Sequence, residues 1–184
     1  MIKATETKLK GCFVIEPQVF EDERGYFFES YNHKEFCKAI GQEVHFVQDN
    51  RSFSKKGVLR GLHFQKGEHA QAKLVTVLSG RIQDVVVDLR KDSPTFAQHF
   101  SIELDSATKK QIFVPRGFAH GFLTLSDTAE VFYKCDNYYS KEAEGGIVYD
   151  DYSLGIKWKM NQEDIILSNK DISLANFENL SKFS

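Results

Sequence analysis

Three features of this 184-residue chain point to an all-β fold, a β-sandwich or jelly roll. Short β-branched and aromatic runs recur along it, separated by turn residues, as all-β proteins show. About ten such runs occur, with a single helical stretch early on. The helices that an α/β fold needs between its strands are missing. With three prolines, no Gly/Ser-rich linker and no internal repeat, residues 1–184 read as one domain.

Strands are expected over residues 12–19, 25–31, 43–50, 57–64, 73–78, 81–89, 99–104, 111–114, 120–125 and 130–135. The breaks carry Gly80, Lys91-Asp92-Ser93-Pro94, Pro115-Arg116-Gly117 and Ser126-Asp127. Ser79-Gly80, between two apolar runs, reads as a tight hairpin. The helix begins after Asn32, which can cap its first amides. Glu35 lies three residues on, Phe36 and Ile40 share a face, and Gly41 ends it. From about residue 161 the tail is less periodic, and short helical turns are expected there.

Composition narrows the function. Lys plus Arg total 24 and Asp plus Glu total 26, a net charge of −2. Phosphate-driven binding needs a basic excess, so nucleic acid is not the expected partner. Sixteen Phe and seven Tyr argue for a packed core rather than disorder. No apolar run approaches the ~20 residues of a membrane span. The polar start lacks the apolar centre of a signal peptide, and a cytoplasmic protein is expected. Cys12, Cys37 and Cys135 are odd in number and far apart. They suggest small buried side chains rather than disulfides or a zinc ribbon.

Strand alternation supplies the first functional hint. His120 shares a face with Phe122, Tyr133 with Val131 and Cys135, and Lys73 with Val75 and Val77. Polar groups on apolar faces cost free energy unless paired, so each marks a structural network or a lined pocket. Singly, each is better read as a structural residue, and Lys73 as a strand end reaching solvent. Three of them on separate strands favour a pocket. In Val58-Leu59-Arg60-Gly61-Leu62-His63-Phe64-Gln65, strict alternation puts Arg60 and His63 on opposite faces. They serve one pocket only if the strand bulges near Gly61, and the sequence leaves that open.

A set of stretches, in order, covers nearly the whole chain. It comprises Phe20-Glu21-Asp22-Glu23-Arg24-Gly25-Tyr26-Phe27-Phe28-Glu29-Ser30, Gln48-Asp49-Asn50 and the segment from Val58 to Gln65. It continues with His69-Ala70-Gln71-Ala72-Lys73-Leu74-Val75, then Val87-Asp88-Leu89-Arg90 and on to Thr95. The last members are Val114-Pro115-Arg116-Gly117-Phe118-Ala119-His120-Gly121-Phe122, Asp136-Asn137-Tyr138-Tyr139 with Glu142-Ala143-Glu144, and Ile166-Leu167-Ser168-Asn169-Lys170-Asp171. In this set the chain resembles the dTDP-4-dehydrorhamnose 3,5-epimerases, a cupin-like jelly-roll family.

The resemblance implies an isomerase that inverts C3 and C5 of dTDP-4-keto-6-deoxy-D-glucose. It needs no cofactor and no metal. Such chemistry requires a base near neutrality, an acid opposite it and a stabiliser for the enolate oxygen. By the resemblance, His63 is the base, Asp171 holds its ring, Tyr133 is the proton donor and Lys73 the cation beside the enolate. His120 lies near the same sugar. Arg24 and Arg60 match diphosphate ligands, and Tyr139 matches the residue that stacks on thymine. Glu29, Gln48, Asn50, Glu144 and Lys170 fall on substrate-contacting positions. The resemblance also implies a homodimer in which N-terminal strands of one subunit extend the sheet of the other, and a place in cytoplasmic dTDP-L-rhamnose synthesis. Gly67-Glu68 and Ile172 depart from the family's usual residues and bear on loop shape.

Three other readings compete. A C3-only epimerase acting on a related dTDP-4-keto-deoxysugar would carry the same residues. A metal-dependent cupin is weaker, because His63, His69 and His120 come without a His-x-His pair or a carboxylate at ligand spacing. A non-catalytic sugar-binding jelly roll has no need of His63, Tyr133 and Asp171 together.

Overall fold

A computed structural model of the chain describes residues 2–182. The first strands are β1 (Lys3–Glu6), β2 (Phe13–Glu16), β3 (Val19–Asp22) and β4 (Gly25–Phe28), followed by helix α1 (His33–Ile40). Next come β5 (Gln48–Lys55), β6 (Leu59–Gln65), β7 (Lys73–Ser79) and β8 (Arg81–Asp88). Then follow β9 (His99–Asp105), β10 (Gln111–Val114), β11 (Phe118–Thr124), β12 (Thr128–Cys135) and β13 (Glu144–Gly146). The tail holds 3-10 turns at Gln162–Asp164 and Phe177–Lys182, and a one-turn helix α2 (Asn169–Ile172), as its weak periodicity suggested.

The strands build two facing antiparallel sheets, ordered β1-β2-β10-β7-β12-β5 and β13-β6-β11-β8-β9. This is the jelly-roll sandwich expected. Inward side chains of both sheets form the central core, among them Val75, Val77, Ile82, Val86, Phe118, Phe122 and Val131. Alternation along each strand puts these residues inside. Helix α1 covers the outer face of the six-stranded sheet, burying Phe36, Cys37 and Ile40 against Leu74 and Phe113. Asn32 accepts from the Glu35 amide, and Gly41 closes the helix in the left-handed region. The tail covers the other sheet, where Trp158 packs with Leu154 and Ile147. Cys12, Cys37 and Cys135 are buried free thiols.

Three expectations are corrected, and two strands lie where none was expected. The strand at 12–19 is two strands, because Pro17 cannot donate to a ladder and the chain turns out into β3. The strand at 43–50 lies instead at Gln48–Lys55. Val44 and Phe46 are apolar because they pack beneath α1, not because they pair in a sheet. The polar edge strand β1 and the short β13 carried no apolar alternation to read. Finally, Ser79-Gly80 is no hairpin: β7 and β8 belong to different sheets. Gly80, at φ +78, turns the chain from one sheet to the other, and a Cβ there would lie 2.1 Å from the Thr128 carbonyl oxygen. Only glycine fits that corner.

The β3–β4 hairpin pairs with neither large sheet. It leaves Phe20, Tyr26 and Phe27 exposed.

Candidate active site

The bulge that the Arg60/His63 question required is present. In the β6–β11 pairing, His120 faces His63 and Phe122 faces Arg60, with a register shift between them. Three steps on β6 therefore match two on β11, and the extra residue returns His63 to the face that Arg60 occupies. Leu59 and Leu62, also three apart, both point into the outer clusters. Gly61 permits the close approach. It sits at φ +124, and a Cβ would come within 2.5 Å of the Gly121 Cα.

One inter-sheet cavity of about 150 Å³ is lined by Gln48, Asn50, His63, Phe64, Gln65, Gln71, Lys73, Tyr133, Tyr139 and Glu144. Pockets that enclose a whole drug-sized ligand start near ~300 Å³. This one is sized for a single ring of a larger molecule, the rest lying across its rim. A hollow of about 810 Å³ near Phe96 and Phe177 is larger, but its walls are mainly apolar and His63, Lys73, Tyr133 and Asp171 are not among its lining residues.

His63 Nε2 is 2.5 Å from Asp171 Oδ1. Asp171 comes from α2, where Ser168 both caps the helix through the Asp171 amide at 3.1 Å and donates its hydroxyl to Oδ2 at 2.7 Å. Burial pushes the Asp171 carboxyl up, but hydrogen bonds from His63, Ser168 and the Gly61 amide outweigh it and hold the carboxyl below its usual range. The Asp171 side chain is only 6% exposed while His63 is 28% exposed. The carboxylate is thus sealed and the imidazole is reachable from the cavity.

Tyr133 and Lys73 enter from the opposite sheet, where β12 pairs with β7. Burial raises the Tyr133 phenol, with Arg60 partly opposing it, and keeps the hydroxyl protonated at neutral pH. Burial likewise lowers the Lys73 ammonium, against the pull of Cys135, Asp84 and Glu144. At the rim, the Tyr139 hydroxyl donates to Glu144 Oε2 at 3.0 Å, and Lys170 pairs with the other Glu144 oxygen. Gln48 Oε1 accepts from the Tyr139 amide at 3.0 Å and Gln48 Nε2 donates to Asn50 Oδ1 at 3.1 Å.

His63, Lys73, Tyr133, Asp171, Gln48, Asn50, Tyr139, Glu144 and Lys170 are therefore gathered at one place. His120 lies opposite His63 on the neighbouring strand, buried, with Nε2 2.8 Å from Asp84 Oδ2. Arg60 donates to Ser54 Oγ at 3.0 Å and to the Phe53 carbonyl at 3.2 Å, beside the cavity rather than in its wall. Arg24 and Glu29 are not brought there by this chain. They ride on and after the β3–β4 hairpin, Arg24 paired with Asp22 and Glu29 bonded to Asn32.

Four residues of the site escaped sequence reasoning. Asp84 alternates with Ile82 and Val86, so the signal that found His120 was available for it. Ser168 opens a Ser-x-x-Asp capping sequence, which could have placed Asp171 at a helix start. Gln65 and Gln71 carry no such mark; their amides hold the 137–140 segment through the Ser140 amide and the Asn137 carbonyl.

A jelly roll with an imidazole–carboxylate pair on one sheet, and a phenol and an ammonium on the other, has the parts of an isomerase that moves protons at carbon. A model of the family described as dTDP-4-dehydrorhamnose 3,5-epimerase matches residues 6–179, and the chain belongs to that family. The dTDP-4-dehydrorhamnose 3,5-epimerase of Salmonella typhimurium is 52% identical over 162 residues, 88% of each chain. A crystal structure of the Elizabethkingia anophelis enzyme of that name is 56% identical, covers 97% of each chain and has a TM-score of 0.94. The dTDP-6-deoxy-D-glucose-3,5-epimerase of Legionella pneumophila, solved in complex with dTDP-4-keto-L-rhamnose, is 43% identical with a TM-score of 0.92. That match covers 97% of this chain and 94% of the other.

Proposed function

We propose that the protein inverts C3 and C5 of dTDP-4-keto-6-deoxy-D-glucose to give dTDP-4-keto-L-rhamnose, in the synthesis of dTDP-L-rhamnose. The observation that carries this is the cavity lined jointly by His63, Lys73 and Tyr133, with Asp171 fixing the imidazole. With Nε2–H donated to Asp171, Nδ1 of His63 keeps its lone pair and takes the proton from the carbon beside the ketone. The C–H electrons move into an enolate whose negative oxygen is stabilised by the Lys73 ammonium. Tyr133 returns a proton to the other face, and the new imidazolium and phenolate re-equilibrate with solvent. The phenol, held protonated by burial, suits the donor role, and the carboxylate beside His63 suits the transient imidazolium. Tyr139 stacks on the base, while Glu144, Lys170, Gln48 and Asn50 order the rim. The test is a coupled assay on dTDP-4-keto-6-deoxyglucose with a rhamnose-forming reductase. NADPH should be consumed only when this protein is present; no consumption would refute the reading.

The working unit is a homodimer in the cytoplasm, where nucleotide sugars are made. The unpaired hairpin with its exposed Phe20 and Phe27 supports a partner subunit there. On this reading Arg24 and Glu29 reach the partner's cavity. Mixing Arg24→Ala with His63→Ala subunits then yields heterodimers with one intact site, so roughly a quarter of the activity should return. No recovery on mixing would count against exchange of the hairpin.

A further inference from the structure

Away from the cavity, on the outer side of α1, two imidazoles and a carboxylate converge. The Nε2 atoms of His33 and His45 lie 2.7 and 3.0 Å from the same Glu43 oxygen, Oε1. The three candidate ligand atoms all fall within 4.8 Å of one another. The imidazole rings are stacked, with centroids 4.6 Å apart and planes 29° apart. We propose that His33, Glu43 and His45 form a binding site for a zinc-class divalent cation, with water completing the coordination.

The backbone on both sides is anchored, so the convergence is built in. His33 is the first residue of α1, fixed by the Asn32 cap. After Gly41 reverses the chain, Val44 docks under the helix, its amide 3.4 Å from the Cys37 sulfur. Phe46 packs on Tyr31 and Phe36 with ring centroids 5.4 and 5.6 Å away. In the extended segment between them, Glu43 and His45 flank inward Val44 and project to the same outer side, toward His33. Behind His33, Nδ1 lies 3.4 Å from the Tyr31 hydroxyl and 3.6 Å from the Cys37 sulfur. A partner at the second ring nitrogen is what orients a ligating histidine and leaves Nε2 to the metal.

Two imidazoles and one carboxylate suit zinc, with bonds of roughly 2.0–2.2 Å. Tetrahedral ligand atoms are then ~3.3 Å apart. The side chains reach that by opening the 2.7 and 3.0 Å contacts by ~0.6 and ~0.3 Å and by bringing the two ring nitrogens, now within 4.8 Å, to the same spacing. A single divalent cation would take the place of the direct contacts between the rings and Glu43. It would tie the start of α1 to the segment that leads into β5 and the cavity residues Gln48 and Asn50.

The test uses tag-free, chelator-treated full-length protein titrated with zinc chloride by calorimetry at pH 7.5, and with cobalt chloride by visible spectroscopy. One equivalent should bind, raise the thermal midpoint by a few degrees and give the intense visible bands of low-coordinate cobalt. His45→Ala and Glu43→Gln should each lose that equivalent, while His69→Ala retains it. The apo variants should melt as the apo parent does, since Glu43 and His45 are exposed. Absence of binding by the parent at 100-fold molar excess would overturn the proposal, as would undiminished binding by His45→Ala.

Discussion

Replacing Asp171 with Asn keeps the side chain's size but removes its charge from behind His63. When His63 takes a proton, an imidazolium forms against a carboxylate whose oxygen is 2.5 Å from Nε2. The centres of the two charges are then about 4 Å apart, worth about 4 kcal/mol at an effective dielectric of 20. The neutral amide forfeits that stabilisation in the transition state, which corresponds to about a 10³-fold slower proton removal. Because the Asp171 carboxylate bonds His63 and Ser168, while Glu144 bonds Tyr139 and Lys170, affinity for dTDP should be unchanged. Solvent-deuterium incorporation followed by NMR measures the chemical step, and calorimetry measures dTDP binding. Exchange within about threefold of the parent would refute the role given to Asp171. A parallel loss of dTDP affinity would mean that Asp171 organises the whole site instead.

Other outcomes follow from the same geometry. Tyr133→Phe should slow product formation by about 10²-fold or more, yet leave deuterium wash-in in recovered substrate, because His63 can remove and return a proton on its own side. Tyr139→Ala should weaken dTDP binding roughly ten- to hundredfold by loss of base stacking, with a smaller effect on kcat, read by calorimetry beside steady-state kinetics. At the far end of β8, burial pushes the Asp88 carboxyl up, but Arg90, Ser93 and Thr95 outweigh this and hold it at about 2. That lies below the unfolded value, so the bonds stabilise fully above about pH 4 and are lost as pH falls toward 2. The contribution is about 2 kcal/mol. Asp88→Asn should lose it at neutral pH and flatten the decline, as urea melts at pH 7 and pH 3 would show.

How far the sequence reveals this site depends on how each residue is embedded. Lys73, His120 and Tyr133 were legible because they interrupt apolar faces at period two, and the structure turns all three inward. The helix was legible because Asn32, Phe36, Ile40 and Gly41 combine caps with a buried stripe. Strand β5 was not, since its inward residues Gln48, Asn50, Ser52 and Ser54 are all polar, the first two lining the cavity, leaving no apolar alternation. Gly80 misled because a glycine at positive φ serves a hairpin and a sheet-to-sheet corner equally well. The meeting of Arg60 with His63 depends on a bulge, a feature of pairing between strands rather than of either strand alone. Asp171 lies 108 residues from its imidazole, and only the family resemblance connected them beforehand.

The decisive measurement is proton NMR of dTDP-4-keto-6-deoxyglucose turned over in D2O by the parent protein and by His63→Ala. Deuterium should appear at both C3 and C5 with the parent, and at neither with the variant. Label at C3 alone, or label that His63→Ala still installs, would contradict this.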